Sequence, residues 1–282
     1  MKEKLINFFT IFSIIFVIIL LYSRYVGTRG LYVKEYTIQN NKVTDNFHGL
    51  KVVHISDLHY GKVINKKRVE TLVEKINVLE PDLIFLTGDL LNNELDSKQQ
   101  KELSSLLKLM DARLGKYAIS GNHDVEFNYW EDIIAAGDFI NLEEQHELVF
   151  SEKSNPIIIR GISSNLNSKE TAHSKMIPFY EFLDENPELE NELKILLIHE
   201  PDFIKDINHN LFDIILAGHS HNGQVKIPFM KPLILPIGAE KYYDEHYKID
   251  NTDLYISSGI GNSYWNIRLF NRPSFNFYRI IK

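Results

Sequence analysis

Leu50-Lys51-Val52-Val53-His54-Ile55-Ser56-Asp57-Leu58-His59 is a short apolar run that ends in a carboxylate and, two residues on, an imidazole. Its length and β-branched content read as a buried strand over 50–56. The pattern recurs. Residues 83–87 run into Gly88-Asp89, and 116–120 into Gly121-Asn122-His123-Asp124. Residues 194–198 run into His199-Glu200, and 213–217 into Gly218-His219-Ser220-His221. Amphipathic helices separate the first of these strands. Asn65 is placed to cap one whose apolar positions Val69, Leu72, Val73, Ile76 and Leu79 keep a 3.6-residue period, with Pro81 as its stop. Leu103, Leu106, Leu107 and Met110 mark a second. Further strand-like runs lie at 33–38, 156–160, 253–257 and 275–281, and the polar stretch 163–174 reads as a surface loop. Strands alternating with helices early, and mostly strands late, predict a layered α/β architecture.

The amino terminus differs from the rest. From Leu5 to Tyr22 no residue is charged, and Ile, Phe, Leu and Val dominate. As a helix this run reaches about 27 Å, enough for a bilayer core. No small-x-small cleavage site follows it, which favours an uncleaved anchor over a signal peptide. Lys2 and Lys4 precede the run and Arg24 and Arg29 follow it, so positive charge flanks both ends. The reading leans towards a single-pass protein whose larger domain is extracytoplasmic. The expected division is a transmembrane anchor over 1–24, a connector and first strand over 25–47, and one domain over 48–282.

Composition narrows the chemistry. The 282 residues carry a net charge of −7, which argues against a nucleic-acid partner, because phosphate neutralisation needs a surplus of Lys and Arg. There is no cysteine, so disulfides, thiolate metal sites and cysteine nucleophiles are excluded.

A lone His at a strand end is more often a hydrogen-bonded polar residue than a ligand, and Gly-Asp or Gly-Asn alone is an ordinary turn. His54, inside its strand, keeps that plain reading. The coincidence carries more. Five of the 11 histidines (His59, His123, His199, His219 and His221) fall at strand ends. In extended chain, residues i and i+2 point the same way, so Asp57 and His59 can face one point, as can His219 and His221. Parallel strands present their carboxyl ends to a common crevice, where ligands bind in open α/β sheets. A mixed nitrogen and oxygen donor set without sulfur suits Mn, Fe, Zn or Ni and not an all-oxygen calcium site.

The ordered set Asp-x-His, Gly-Asp, Gly-Asn-His-Asp, His and Gly-His-x-His resembles the calcineurin-like metallophosphoesterase superfamily over about residues 50–270. The stretches 223–228 and 266–273 are similar to a bacterial branch of membrane- or cell-wall-associated phosphoesterases. The resemblance implies a four-layer αββα sandwich of two mixed β-sheets flanked by helices, behind the transmembrane helix. It implies two divalent metals, with Mn as first choice and Fe, Zn or Ni as alternatives. One metal falls to Asp57, His59 and His221, the other to Asn122, His199 and His219, with Asp89 bridging. It implies phosphate-ester hydrolysis by a metal-bridging hydroxide, with His123 as general acid or phosphoryl donor. A phosphodiesterase is favoured over a monoesterase, acting on a lipid-linked, envelope or nucleotide-sugar phosphate. A metal-bound binding module without turnover and a nuclease are the rivals.

Two departures from the family pattern stand out. Asn92 replaces the acidic residue that can orient the catalytic His, leaving Asn92, Asp124 or a water for that task. Asn222 replaces the Gly after the last His, a change that left-handed backbone tolerates. Arg268 is a candidate for a substrate phosphate. Tyr242, Tyr243, Tyr264 and Trp265 are expected to cover the core. The Lys66-Lys67-Arg68 cluster is expected to be a solvated helix face.

Overall fold

The computed structural model describes residues 2–61, 63–151, 155–166, 168–232, 234–262 and 265–282. Tyr264 lies outside the described residues. Two six-stranded sheets face each other. The first contains β1 (Tyr32–Gln39), β2 (Leu50–Ile55), β3 (Leu83–Thr87), β4 (Gly115–Ile119), β5 (Ile140–Asn141) and β12 (Ser274–Ile281), in the order β1-β12-β2-β3-β4-β5. The second contains β6 (His146–Val149), β7 (Ile157–Gly161), β8 (Lys194–Leu197), β9 (Ile214–Ala217), β10 (His246–Ile249) and β11 (Thr252–Ile256), in the order β10-β11-β9-β8-β7-β6. Both sheets are mixed. β2, β3, β4 and β5 run parallel while β12 opposes β2. β7, β8, β9 and β11 run parallel while β6 and β10 are antiparallel edges.

Alternation along each strand assigns the layers. In β3, Leu83 and Phe85 point into the core between the sheets, and Ile84 and Leu86 into the outer core beneath the helices. In β8, Ile195 and Leu197 face the inter-sheet core, and Leu196 faces the other outer core. Both faces of these strands are buried, which is why they read as unbroken apolar runs. α2 (Lys66–Leu79), α3 (Ser97–Lys108) and α4 (Trp130–Ala136) cover the first sheet, and α5 (Ala172–Glu185) covers the second. The result is helix, sheet, sheet, helix. The Asn65 side chain accepts from Arg68 N and caps α2, and Asp96 forms a reciprocal capping box at α3.

The stretch 163–174 is not a free surface loop. Ser164 and Asn165 are buried, and both donate to the buried Glu200 carboxylate. Thr171 caps α5, so His173 is a helical residue on an exposed face. Pro178 in the middle of α5 conceals that helix in the sequence. The segment 25–47 contributes β1, which pairs in parallel with β12 along its whole length.

The apolar amino-terminal run forms one helix, α1 (Lys2–Tyr25), with its large side chains exposed. Only its far end touches the domain: Ser23 is buried, as are Gly27 and Thr28 just beyond it. Phe85 sits at the centre of the inter-sheet layer with no exposed surface. Phe85→Ala should destabilise the full chain in detergent by about 3–5 kcal/mol. Chemical denaturation followed by circular dichroism measures this; a loss below 1 kcal/mol would mean the two sheets do not share that core.

Candidate metal centre

Asp57 and His59 follow β2, Asp89 follows β3, and Asn122 and His123 follow β4. His199 follows β8, and His219 and His221 follow β9. Each set stands at the carboxyl ends of parallel strands, so the two sheets contribute to one place. The side chains do not converge by extended alternation. Asp57 (φ 50), His59 (φ 50), Asp89 (φ 54), His219 (φ 65) and His221 (φ 46) all adopt left-handed backbone. That conformation costs about 1–2 kcal/mol for a residue with a Cβ and gathers at functional sites. Hydrogen bonds between loops hold it. Asp57 N donates to Gly88 O at 2.9 Å, and His59 N to Asp89 O at 3.0 Å. The Asp57 carboxylate accepts from His219 N at 3.1 Å. Asn222 also takes left-handed backbone (φ 50), the conformation it was expected to tolerate.

Among the described residues three ligand-type groups result, each with one donor atom per residue within 4.8 Å of the others. They are Asp57, His59 and His221; His59, Asp89 and His123; and Asp89, His199 and His219. Asp89 belongs to the last two groups and touches the first through His59. Its Oδ2 lies 3.6 Å from His59 Nε2 and 3.4 Å from His199 Nε2. His59 Nε2 and His221 Nε2 are 3.2 Å apart, and His221 Nε2 is 3.5 Å from Asp57 Oδ1. Asn122 stands between His123 and Gly121, which packs on Asp89 and His199.

The surroundings fix which nitrogens face inward. His199 Nδ1 donates to Thr87 O at 2.7 Å, leaving the Nε2 lone pair for the cluster. His219 Nε2 donates to Ile237 O at 2.9 Å, leaving Nδ1. His199 Nε2 and His59 Nδ1 are buried with no hydrogen-bond partner. Burial, reinforced by Asp89, pushes the Asp57 carboxyl up to about 7. Burial drives His59 down to about 3, and burial with the neighbouring His59 and Arg268 holds His221 well below the usual imidazole range. Against the upward push of burial, His199 holds Asp89 well below the usual carboxylate range, and Asp89 holds His199 well above its own. Neutral imidazoles at His59 and His221, the carboxyls of Asp57 and Asp89, and the inward Nε2 of His199, whose proton a cation would replace, make a donor set that fits divalent cations.

Other residues brace this set. The Asp124 carboxylate accepts from Gly121 N (2.9 Å), Leu90 N (3.2 Å) and Leu91 N (2.9 Å), tying the loops after β3 and β4. The Asn92 amide donates to Asn93 at 3.1 Å. His54 bonds Thr87 Oγ1 at 2.8 Å within the core. Arg268 departs from its sequence reading. Its side chain is wholly buried, and it donates to the carbonyls of Ser258 (2.8 Å), Gly259 (3.1 Å) and Gly261 (2.7 Å) and to Asn262 Oδ1 (2.8 Å). It lies 3.4 Å behind His221 Nδ1, and so braces the loop under that histidine rather than reaching a substrate. Asn271, which lies in the 266–273 stretch but carries no role in the sequence reading, donates to His221 O at 2.5 Å. Tyr242 is buried as expected, but Trp265 is exposed and covers no core.

The sequence model for calcineurin-like phosphoesterases matches residues 50–223. The chain is 26% identical over 270 residues to a Bacillus subtilis protein described as an uncharacterised metallophosphoesterase, YkuE, covering 92% of this chain and 88% of that one. It is 29% identical over 272 residues to a second B. subtilis protein so described, YkoQ, covering 92% and 94%. It is 26% identical over 226 residues to the UDP-2,3-diacylglucosamine pyrophosphatase LpxG of Chlamydia trachomatis, covering 66% and 68%.

Gly88 and Gly121 let these loops touch. A Cβ on Gly88 would meet Gly121 N and His199 Nδ1 at 2.5 Å, and one on Gly121 would overlap the Asp89 carboxylate. Gly121→Ala should therefore displace Asp89 and cost the full chain at least one of two bound metals. Elemental analysis after gel filtration reads this directly; unchanged stoichiometry would show that the approach is not needed.

Proposed function

The chain belongs to the calcineurin-like phosphoesterase family and is a phosphoester hydrolase, and from that premise we propose that it is a dinuclear, membrane-anchored phosphodiesterase. The carrying observation is Asp89, whose carboxylate stands between the Asp57–His59–His221 and His199–His219 groups. In this reading Asp57, His59 and His221 hold one cation, Asn122, His199 and His219 the other, and Asp89 both. Manganese is the first choice, since the donors are nitrogen and oxygen only. When bound, such cations neutralise phosphate charge and make a water acidic enough to attack.

The chain's own residues do the rest. Burial excludes bulk water from Asp57 and His59 and keeps their lone pairs directed inward. His123 is half-buried, unlike the other histidines of the cluster, and its ring stands edge-on to His59 at 5.1 Å between centroids. Its backbone N–H donates to Asp89 Oδ1 at 2.9 Å, which fixes its loop to the centre. As the bond from phosphorus to the leaving oxygen breaks, the His123 ring gives that oxygen a proton.

The substrate we favour is a phosphodiester or pyrophosphate on an amphiphilic or envelope molecule. The apolar α1, whose end meets the residue behind His221, and the pyrophosphatase activity for which LpxG is named both support this. We read residues 1–24 as a single-pass anchor, 48–282 as the catalytic domain, and its side as extracytoplasmic. One observation favours a binding module without turnover: Asn92 stands where an acid commonly orients the histidine, and its amide is bonded to Asn93.

Full-length protein in detergent should hydrolyse bis-p-nitrophenyl phosphate faster than p-nitrophenyl phosphate with Mn²⁺, and chelation or Asp89→Asn should abolish both activities. No release with two metals bound would favour the binding module. His123→Ala should keep both metals and lose about 10²-fold or more in turnover on alkyl esters, and less on p-nitrophenyl esters. Equal losses on the two leaving groups would remove the proton-donor role.

A further inference from the structure

The end of α1 is built into the segment that follows Trp265. Arg268 N donates to Ser23 O at 2.9 Å, Arg272 Nη1 to Val26 O at 3.1 Å and Arg272 Nη2 to the Tyr22 hydroxyl at 3.3 Å. Gly27 packs directly on the Arg268 carbonyl, where no Cβ would fit. Residues 265–270 are laced in turn to 224–226. The Gln224 amide donates to Trp265 O (2.8 Å) and Ile267 O (2.9 Å), and Lys226 N to Leu269 O (2.9 Å). From Lys226 the chain runs on to Ile237, whose carbonyl holds His219. The anchor end is thus joined through 265–270 to 224–226, and further along the same chain Ile237 holds a metal-site histidine.

That surface is unusually apolar for one facing water. Phe229 is fully exposed, and Ile234 (76%), Ile237 (72%), Trp265 (67%), Phe270 (67%) and Met230 (59%) are largely so. Phe229, Met230 and Phe270 share one open cleft with Lys226 and Lys231. Single exposed apolar residues are common, but a cluster of this kind marks a surface that is covered in use. Its place identifies the cover. A bilayer that takes in Leu5–Leu21 sets its headgroup layer at Tyr22–Arg29, beside residues 265–272. Aromatic Tyr22, Tyr25 and Trp265 with basic Arg24, Arg29 and Lys231 are the side chains suited to that layer. In a chain of net charge −7, those cations favour anionic lipid.

We infer that residues 227–232, 234–237 and 265–270 lie in the interfacial layer of the bilayer that holds α1, so that the centre meets phosphoesters carried among the lipid headgroups. This rests on reading α1 as an anchor and the cluster as a phosphoesterase site. The surface then determines where substrate comes from: laterally, with its phosphate at headgroup depth, and not from bulk water.

The chain has no cysteine, so a single introduced thiol takes one fluorophore. Full-length Phe229→Cys and Ile234→Cys carry an environment-sensitive label in vesicles of phosphatidylcholine and phosphatidylglycerol. Ile14→Cys reports on α1. Val78→Cys is the aqueous control: it is exposed and lies about 15 Å along α2 from Arg68, which donates to Thr28 O at the anchor end. Labels at 229 and 234 should emit to the blue and be quenched by shallow spin-labelled lipid at least about threefold more than the label at 78. Labels at 229 and 234 that behave like the one at 78, open to aqueous iodide and blind to lipid quencher, overturn the inference. The label at 14 shows whether the anchor reading falls with it, and ester turnover shows separately whether the catalytic reading stands.

Discussion

The architecture depends on the burial of three carboxylates and four imidazoles in one place. Asp57, Asp89, Asp124, His59, His199, His219 and His221 all have less than a tenth of their surface exposed. Burying charge costs several kcal/mol per group unless it is paired or ligated. Asp89 and His199 settle this between themselves as an ion pair, and Asp124 accepts three backbone N–H groups. Asp57, His59 and His221 are left near neutrality with their donor atoms facing one another. A site that is uncomfortable as protein alone and comfortable around cations is a ligand set, and the fold has to hold it together against its own repulsion.

The sandwich does this by bringing two sets of parallel strand ends together. Neither sheet alone carries the whole set: the first supplies Asp57, His59, Asp89, Asn122 and His123, and the second His199, His219 and His221. The inter-sheet core of Phe85, Leu197 and Leu216 therefore sets the distance between the two halves of the centre. Asp124 and Arg268 act within the loops, where each binds several backbone groups that would otherwise be free to shift. Both are ionisable side chains used as struts, which explains their burial beside a site they do not enter.

Much of this was legible. Strands buried on both faces announce themselves as apolar runs, and the polar motifs at their ends mark where they stop. The less legible parts share a cause. α5 carries Pro178 in its middle and begins in a polar stretch, so its periodicity is masked, and only packing on the second sheet decides that it is a helix. The left-handed residues at 57, 59, 89, 219 and 221 carry no sequence mark, because Asp and His do not announce positive φ as glycine does. Arg268 has the chemistry to hold a phosphate, and nothing in one sequence separates that use from bracing a buried loop. Trp265 reads as core on residue type alone, and it stands largely exposed.

The exposed aromatics and the helix end give the same molecule a direction. Ser23, Gly27 and Thr28 are buried against the domain while the rest of α1 is bare, so the domain has one fixed side towards whatever surrounds the helix. His219 and His221 lie behind that side, through Ile237 and Arg268 respectively. Attaching the end of α1 to the segments that brace His219 and His221 constrains two things together: the orientation of the candidate centre relative to the helix, and the rigidity of those two histidines. An enzyme acting on soluble esters gains nothing from that coupling, because a flexible tether leaves its open side in water. One acting on esters held at a membrane gains a fixed height and orientation, which lowers the entropy lost when the phosphate reaches the centre.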